Sequence, residues 1–173
     1  MELALKKKIE TAAPLVLYDS RETIENGDVR FLFSENYSSA RIESIQTRWP
    51  GRNPPYSNGY MIYLSDGSSY SPTSVRFTPH KDLTKYHVLK ISYHNKDGSD
   101  TMVIRIYPYE ASPSALLPTR SAALPGTAYN GYSEFEFDIS GMEGSGTNWI
   151  IDVSVAGTME YGAEGYIHRL SIE

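Results

Sequence analysis

Trp149-Ile150-Ile151-Asp152-Val153-Ser154-Val155-Ala156 is the stretch that decides the fold class. In an extended chain successive side chains point to opposite faces, so Trp149, Ile151, Val153 and Val155 share one face. Ile150, Asp152, Ser154 and Ala156 share the other. Alternation with β-branched residues predicts a half-buried strand with Trp149 in the core. Tyr166 to Ile172 forms a second such run after the turn-rich Ala-Gly-Thr-Met-Glu-Tyr-Gly-Ala-Glu-Gly segment. The two runs are expected to pair as a closing hairpin.

Working outward, the same period recurs. Leu15-Val16-Leu17-Tyr18 reads as a first strand after Pro14, which interrupts any helix. Asn26-Gly27 is a turn signal, and Val29, Phe31 and Phe33 alternate with Arg30, Leu32 and Ser34. Arg41 to Trp49 is extended, but Ile42 and Ile45 cannot share a face without an irregularity, which predicts a bulge. The prolines and glycines of Trp49 to Gly59 make a loop. Tyr60 to Leu64 is a strand, Asp66-Gly67 a turn, and Val75 with Phe77 a further short strand. Tyr86 to Tyr93 and Met102 to Tyr109, joined by Asn95 to Asp100, are expected to form a central hairpin. Pro108, Pro113, Pro118 and Pro125 punctuate a long excursion from Ala111 to Tyr132, longer than most loops in compact domains. Phe135 and Phe137 return to a strand opposite Glu134, Glu136 and Asp138. About nine short strands without a long helix predict an all-β, antiparallel β-sandwich, jelly-roll-like in arrangement. Residues 14–173 are expected to form one domain, with 1–13 an N-terminal arm or assembly contact.

Composition narrows the function classes. The chain has 173 residues, 40% hydrophobic and 21% charged, in the range of a folded domain. Its net charge of −5 argues against a broad nucleic-acid surface, which needs concentrated positive charge. There is no cysteine, so disulfides, thiolate catalysis and thiolate-ligated zinc are excluded. Met1 to Glu10 lacks the charge-then-apolar order of a secretory signal. The chain is therefore expected to be a mature or truncated form, or one made in the cytosol. No apolar run approaches the roughly 18 residues of a spanning helix, so membrane insertion is not expected.

Motifs for common catalysis are missing. His80, His87, His94 and His168 have no compact metal-ligand spacing; His80 and His94 are expected in loops, and His87 and His168 in strands, partly buried. Asp97 and Asp100 flank Gly98 in a turn rich in oxygen ligands, but an Asp-Gly turn explains them equally well. Glu134, Glu136 and Asp138 recur on one strand face, where a solvated face is simpler than an acid–base pair across a cleft. Gly141, Gly144 and Gly146 lead into a strand, so the helix that would complete a phosphate site is missing. No nucleophile elbow is present. The expectation is a noncatalytic protein without cofactor or metal.

The unusual quantity is tyrosine, 14 residues beside Trp49 and Trp149. Tyrosine offers planar contact area with a hydrogen-bonding tip, which suits protein interfaces and stacking on sugar rings. Trp49, Arg52, Tyr56 and Tyr60, with Tyr63 and Tyr70, surround the first proline-rich loop; Tyr107, Tyr109, Tyr129 and Tyr132 flank the second. Lys6-Lys7-Lys8 marks either a solvated face or a contact with an acidic partner. These residues of the arm and the two loops form the expected interaction surface.

Val16-Leu17-Tyr18-Asp19, the Asn26-Gly27 turn, Phe31 to Glu35 and Tyr37 to Ile42 resemble the opening of small β-sandwich domains in bacteriophage virion proteins, including tail, head-fibre and decoration components. His168 to Glu173 is similar to their terminal strand. The resemblance implies a capsid- or tail-associated accessory or adhesion protein, partnered by other virion proteins and copies of itself. It places the protein in a virion assembled in the host cytoplasm. The chain departs from a tail fibre in having no repetitive shaft and no coiled coil. Tyr86 to Tyr109 and Phe135 to Ile172 also resemble carbohydrate-binding β-sandwiches, which implies the alternative of an extracellular module binding a cell-surface glycan through exposed aromatics.

Overall fold

The structure, a computed structural model, describes residues 12–21, 28–32, 39–44, 60–66, 72–96, 102–108, 120–127, 131–140, 149–157 and 162–173. Among these residues eleven strands form two antiparallel sheets. The six-stranded sheet contains β1 (Leu15–Asp19), β3 (Ser39–Ser44), β4 (Tyr60–Asp66), β6 (Val88–Asn95), β9 (Ser133–Asp138) and β11 (Ala163–Ile172). The five-stranded sheet contains β2 (Asp28–Leu32), β5 (Thr73–Thr78), β7 (Met102–Pro108), β8 (Arg120–Ala123) and β10 (Trp149–Val155). Their orders are β3-β4-β11-β6-β9 and β2-β5-β10-β7-β8. This is the jelly-roll-like sandwich that the alternating runs predict.

The inward faces make one core. Trp149, Ile151, Val153 and Val155 from β10 meet Leu89 and Ile91 from β6, Ile62 and Leu64 from β4, and Ile167, Leu170 and Ile172 from β11. Trp149 is 1% exposed, as its place on the apolar face predicts. Each fully buried Ile, Leu or Val contributes about 1.5–3 kcal/mol by removing its surface from water. Gly165 marks a close approach of the two sheets. A β-carbon there would lie 2.9 Å from Val155 Cγ1 and 3.0 Å from Met102 Sδ.

The longest strand, β11, pairs with β6 on one side and with both β4 and β1 on the other. Its register against β6 slips between Ile167 and Arg169, so His168 is an extra residue. The slip exchanges the faces: Ala163 and Ile167 point inward before it, Leu170 and Ile172 after it. The carbonyl of His168 accepts a hydrogen bond from the Ser20 amide at 2.8 Å, which satisfies one backbone group at the irregularity.

Several local expectations are corrected. β10 and β11 do not form a hairpin, because they lie in opposite sheets; the same is true of β6 and β7. Among the described residues only β3–β4 and β7–β8 are consecutive strands that pair. Side-chain alternation specifies which face is buried but not which strand lies alongside, and a short connection can cross a sandwich as readily as it can reverse within a sheet. Arg120–Ala123, inside the expected excursion, is a strand. His94 lies in β6 and not in a loop, and His87 precedes that strand and is exposed. Ile42 is 54% exposed on β3, the outermost strand of its sheet. Ile45 of the expected bulge, Asp97, Asp100, Gly141, Gly144 and Gly146 lie outside the described residues.

Candidate functional site

The outer face of the six-stranded sheet carries three successive cross-strand rows. Arg41, Tyr63, Tyr166 and His94 face one another across β3, β4, β11 and β6. Asp19, Arg169, Ser92 and Glu134 form the next row across β1, β11, β6 and β9. Val16, Ser171, Lys90 and Glu136 form the third. Opposed residues on neighbouring strands are about 5 Å apart, so each row is a continuous strip of side chains.

The first row is a second, smaller core. Tyr63 and Tyr166 are buried together with Met61, and their ring centroids are 5.1 Å apart. The His94 ring lies 5.7 Å from that of Tyr166, and the Arg41 guanidinium sits 4.6 Å over the Tyr63 ring. Nδ1 of His94 donates to the carbonyl oxygen of Gly131 at 2.5 Å and lies 2.6 Å from Thr127 Oγ1. Thr127 and Gly131 therefore lie against this end of the sheet. Buried His168, beside these groups, has its pKa pushed down from 6.5 to about 3, first by burial and then by repulsion from His94.

The second and third rows floor an open polar groove of about 190 Å³. That is smaller than the roughly 300 Å³ at the lower end of small-molecule pockets, so the groove seats part of an extended ligand rather than engulfing one. Lys90 stands between two carboxylates, 2.9 Å from Glu173 and 3.2 Å from Glu136, and they hold its amine above the ordinary lysine range. Asp19 is tied to Arg21 at 2.6 Å and lies 3.6 Å from Arg169. The Arg21 hydrogen bonds hold the Asp19 carboxyl below its usual range, outweighing the opposing effect of burial. Between these anchored charges lies Ser92, 5% exposed, whose hydroxyl has no hydrogen-bond partner among the described residues. A buried hydroxyl left unpaired is costly.

Of the expected interaction residues, Tyr60, Tyr107 and Tyr132 lie among the described residues. Tyr60 is 61% exposed at the start of β4, where its carbonyl accepts from the Tyr18 hydroxyl at 2.7 Å. Tyr132 is exposed just before β9. Tyr107 is half-buried on the other sheet, opposite Ile150. Lys6, Lys7, Lys8, Trp49, Arg52, Tyr56, Tyr109 and Tyr129 lie outside the described residues. Glu134 and Glu136 are exposed, as a solvated face predicts, and they also form one wall of the groove. Lys90, Ser92 and Arg169 escaped the sequence reading because each is an unremarkable polar residue on an alternating strand. Among the described residues no group of three or more His, Cys, Asp or Glu side chains could hold a metal ion. No described helix is long and apolar enough to cross a membrane.

No protein-family model matches the chain, and no curated protein matches it. Solved structures do. A family 11 carbohydrate-binding module from Clostridium thermocellum, in complex with a β-1,3-1,4-mixed-linked tetrasaccharide, aligns with a TM-score of 0.55 and 9% identity. The match covers 92% of this chain and 94% of that one. TmCBM61, in complex with β-1,4-galactotriose, aligns with a TM-score of 0.52 and 15% identity over 86% of this chain and 90% of that one. The enzymatically active domain of bacteriophage CBA120 tailspike protein 4 aligns with a TM-score of 0.52 and 10% identity. That match covers 88% of this chain but 20% of the tailspike chain. At these identities the likeness establishes a shared all-β sandwich fold.

Proposed function

We propose that the protein is a noncatalytic carbohydrate-binding module that holds a stretch of neutral glycan in the groove on its six-stranded sheet. The observation that carries this reading is the buried Ser92 hydroxyl, unpaired among the described residues and set beside the ion-paired Lys90 and Arg169. Polyhydroxylated ligands need donors and acceptors at close spacing, and Lys90, Ser92, Arg169 and Glu134 supply both within two rows. The sandwich shared with the two carbohydrate-binding modules supports the same reading. The buried Tyr63 and Tyr166 do not offer their faces to a sugar, so hydrogen bonding takes the larger share of recognition.

The test is a screen of soluble neutral polysaccharides by affinity electrophoresis, followed by calorimetry on wild type and Ser92→Ala. Removing an unpaired buried hydroxyl leaves the fold as stable or more so, whereas losing its bond to the ligand weakens binding about three- to tenfold. Failure of every neutral polysaccharide to bind, or equal affinity of Ser92→Ala and wild type, overturns the assignment.

A second reading follows from the tailspike likeness. The module would sit in a virion, joined to other virion proteins and to copies of itself through the arm that carries Lys6, Lys7 and Lys8. Sedimentation of the chain with and without residues 1–13 separates the two. A monomer unchanged by the deletion rejects the assembly role.

A further inference from the structure

We propose that a cross-strand row of arginines on the outer face of the five-stranded sheet binds the carboxylate or sulfate groups of an acidic polysaccharide. The register aligns Arg30 of β2 with Arg76 of β5, Arg76 with Asp152 of β10, Asp152 with Arg105 of β7, and Arg105 with Ser121 of β8. Five side chains thus run in one line across the whole sheet, three of them cationic and one anionic. On a chain whose net charge is −5, this is a local reversal of sign.

The line is internally ordered. Asp152 is 4% exposed; its Oδ2 accepts from Arg76 Nε at 2.8 Å and from Ser74 Oγ at 3.3 Å. Asp152 therefore fixes Arg76 in the middle of the row. Arg30 and Arg105 are exposed, and among the described residues neither has a carboxylate within ion-pair distance. Asp28, two residues before Arg30, is engaged by His80 at 3.3 Å. Tyr107 adjoins Arg105 on the same face, where burial and the Asp152 charge favour its neutral hydroxyl, a hydrogen-bond donor.

The geometry selects the ligand. Strands lie about 4.8 Å apart, so Arg30 and Arg105 are about 14 Å from each other, with Arg76 between them. A guanidinium fork grips a carboxylate or sulfate through two parallel bonds, and spaced forks match an anion borne once per sugar unit. A strip one side chain wide is poorly suited to the dense phosphates of nucleic acid, which reward a broad cationic surface. The choice of a polysaccharide as carrier of the anions rests on the carbohydrate-binding reading above, but the row lies on the opposite face from the Ser92 groove.

The experiment titrates the full chain with polygalacturonate, dextran sulfate, neutral dextran and duplex DNA at two salt concentrations. An acidic polysaccharide should bind more tightly than dextran, and more weakly as salt rises. The double variant Arg30→Gln/Arg105→Gln should lose about 100-fold in affinity, roughly tenfold per charge-assisted contact. Asp152→Asn, which frees Arg76 for the ligand, should bind more tightly, a gain that no folding defect can imitate. Ser92→Ala should leave acidic binding unchanged. Equal binding by the double variant and wild type, no binding of either acidic polymer, or a preference for DNA overturns the proposal. Loss of neutral-glycan binding alone rejects only the groove, and loss of acidic binding alone rejects only the row.

Discussion

His168 makes the stability of this protein depend on pH in a defined window. The side chain is fully buried at the β11 irregularity, with a pKa lowered from 6.5 to about 3 by burial first and by His94 second. The folded protein keeps this imidazole neutral, while the unfolded chain protonates it near pH 6.5. Above pH 6.5 neither state carries the proton and the group has no effect. As pH falls below 6.5 the unfolded state binds the extra proton, so stability falls by about 1.4 kcal/mol per pH unit. The loss is about 2 kcal/mol at pH 5 and would reach about 5 kcal/mol near pH 3. Asp19 acts in the same direction only at lower pH, since its depressed carboxyl pKa stabilises the fold until the group protonates. The interval from pH 6.5 to 4.5 therefore excludes the Asp19 contribution, and a His168 variant separates the His168 share from that of His94. Urea unfolding at half-unit steps from pH 8 to 4.5 should give midpoints that are flat above 6.5 and decline below it, at constant m-value. His168→Gln should flatten the lower limb. A wild-type midpoint unchanged between pH 7.5 and 5, or an equal decline in the variant, would refute the reasoning.

Gly165→Ala should destabilise the fold by about 1–3 kcal/mol, because the new methyl meets the short, rotamer-locked Val155 branch at 2.9 Å. Combining it with Val155→Ala should cost less than the sum of the two single changes, read as non-additivity in thermal unfolding. Asp152→Ala should lower stability by about 1 kcal/mol, since Arg76 is 41% exposed and water replaces much of the lost contact. That loss should shrink in high salt; a salt-independent loss would assign the effect to packing.

What the sequence disclosed was the set of inward faces. The apolar side of Trp149 to Val155 enters the core residue for residue. Partner choice was hidden, because Ile151 satisfies the same pattern whether its neighbours are Phe77 and Ile106, as they are, or residues of β11. Arg120-Ser121-Ala122-Ala123 carries no strand signal of its own and is extended because β7 offers it a free edge. One missed feature had a readable sign. Ile167 and Leu170 cannot share a face without an extra residue, the argument already applicable to Ile42 and Ile45, and it marks His168. The groove had none, since Asp19, Ser92, Glu134 and Arg169 meet only after four strands have found their register.

The two proposed sites also constrain each other through the architecture. The inner faces of a sandwich are committed to the core, so extended ligands must use outer faces or loops. Here the groove opens on one outer face and the arginine row on the other, separated by both sheets and the core between them. Sheets stack about 10 Å apart and side chains extend beyond each, so no short glycan reaches both sites. The pair cannot raise affinity for a short glycan by chelation, which requires that both sites be spanned at once. It can instead join two chains of different chemistry, a neutral one on the Ser92 side and an acidic one on the Arg76 side. Calorimetric competition would then show neutral and acidic polymers binding the same molecule without excluding each other, whereas mutual exclusion would mean that one of the two faces has been misassigned.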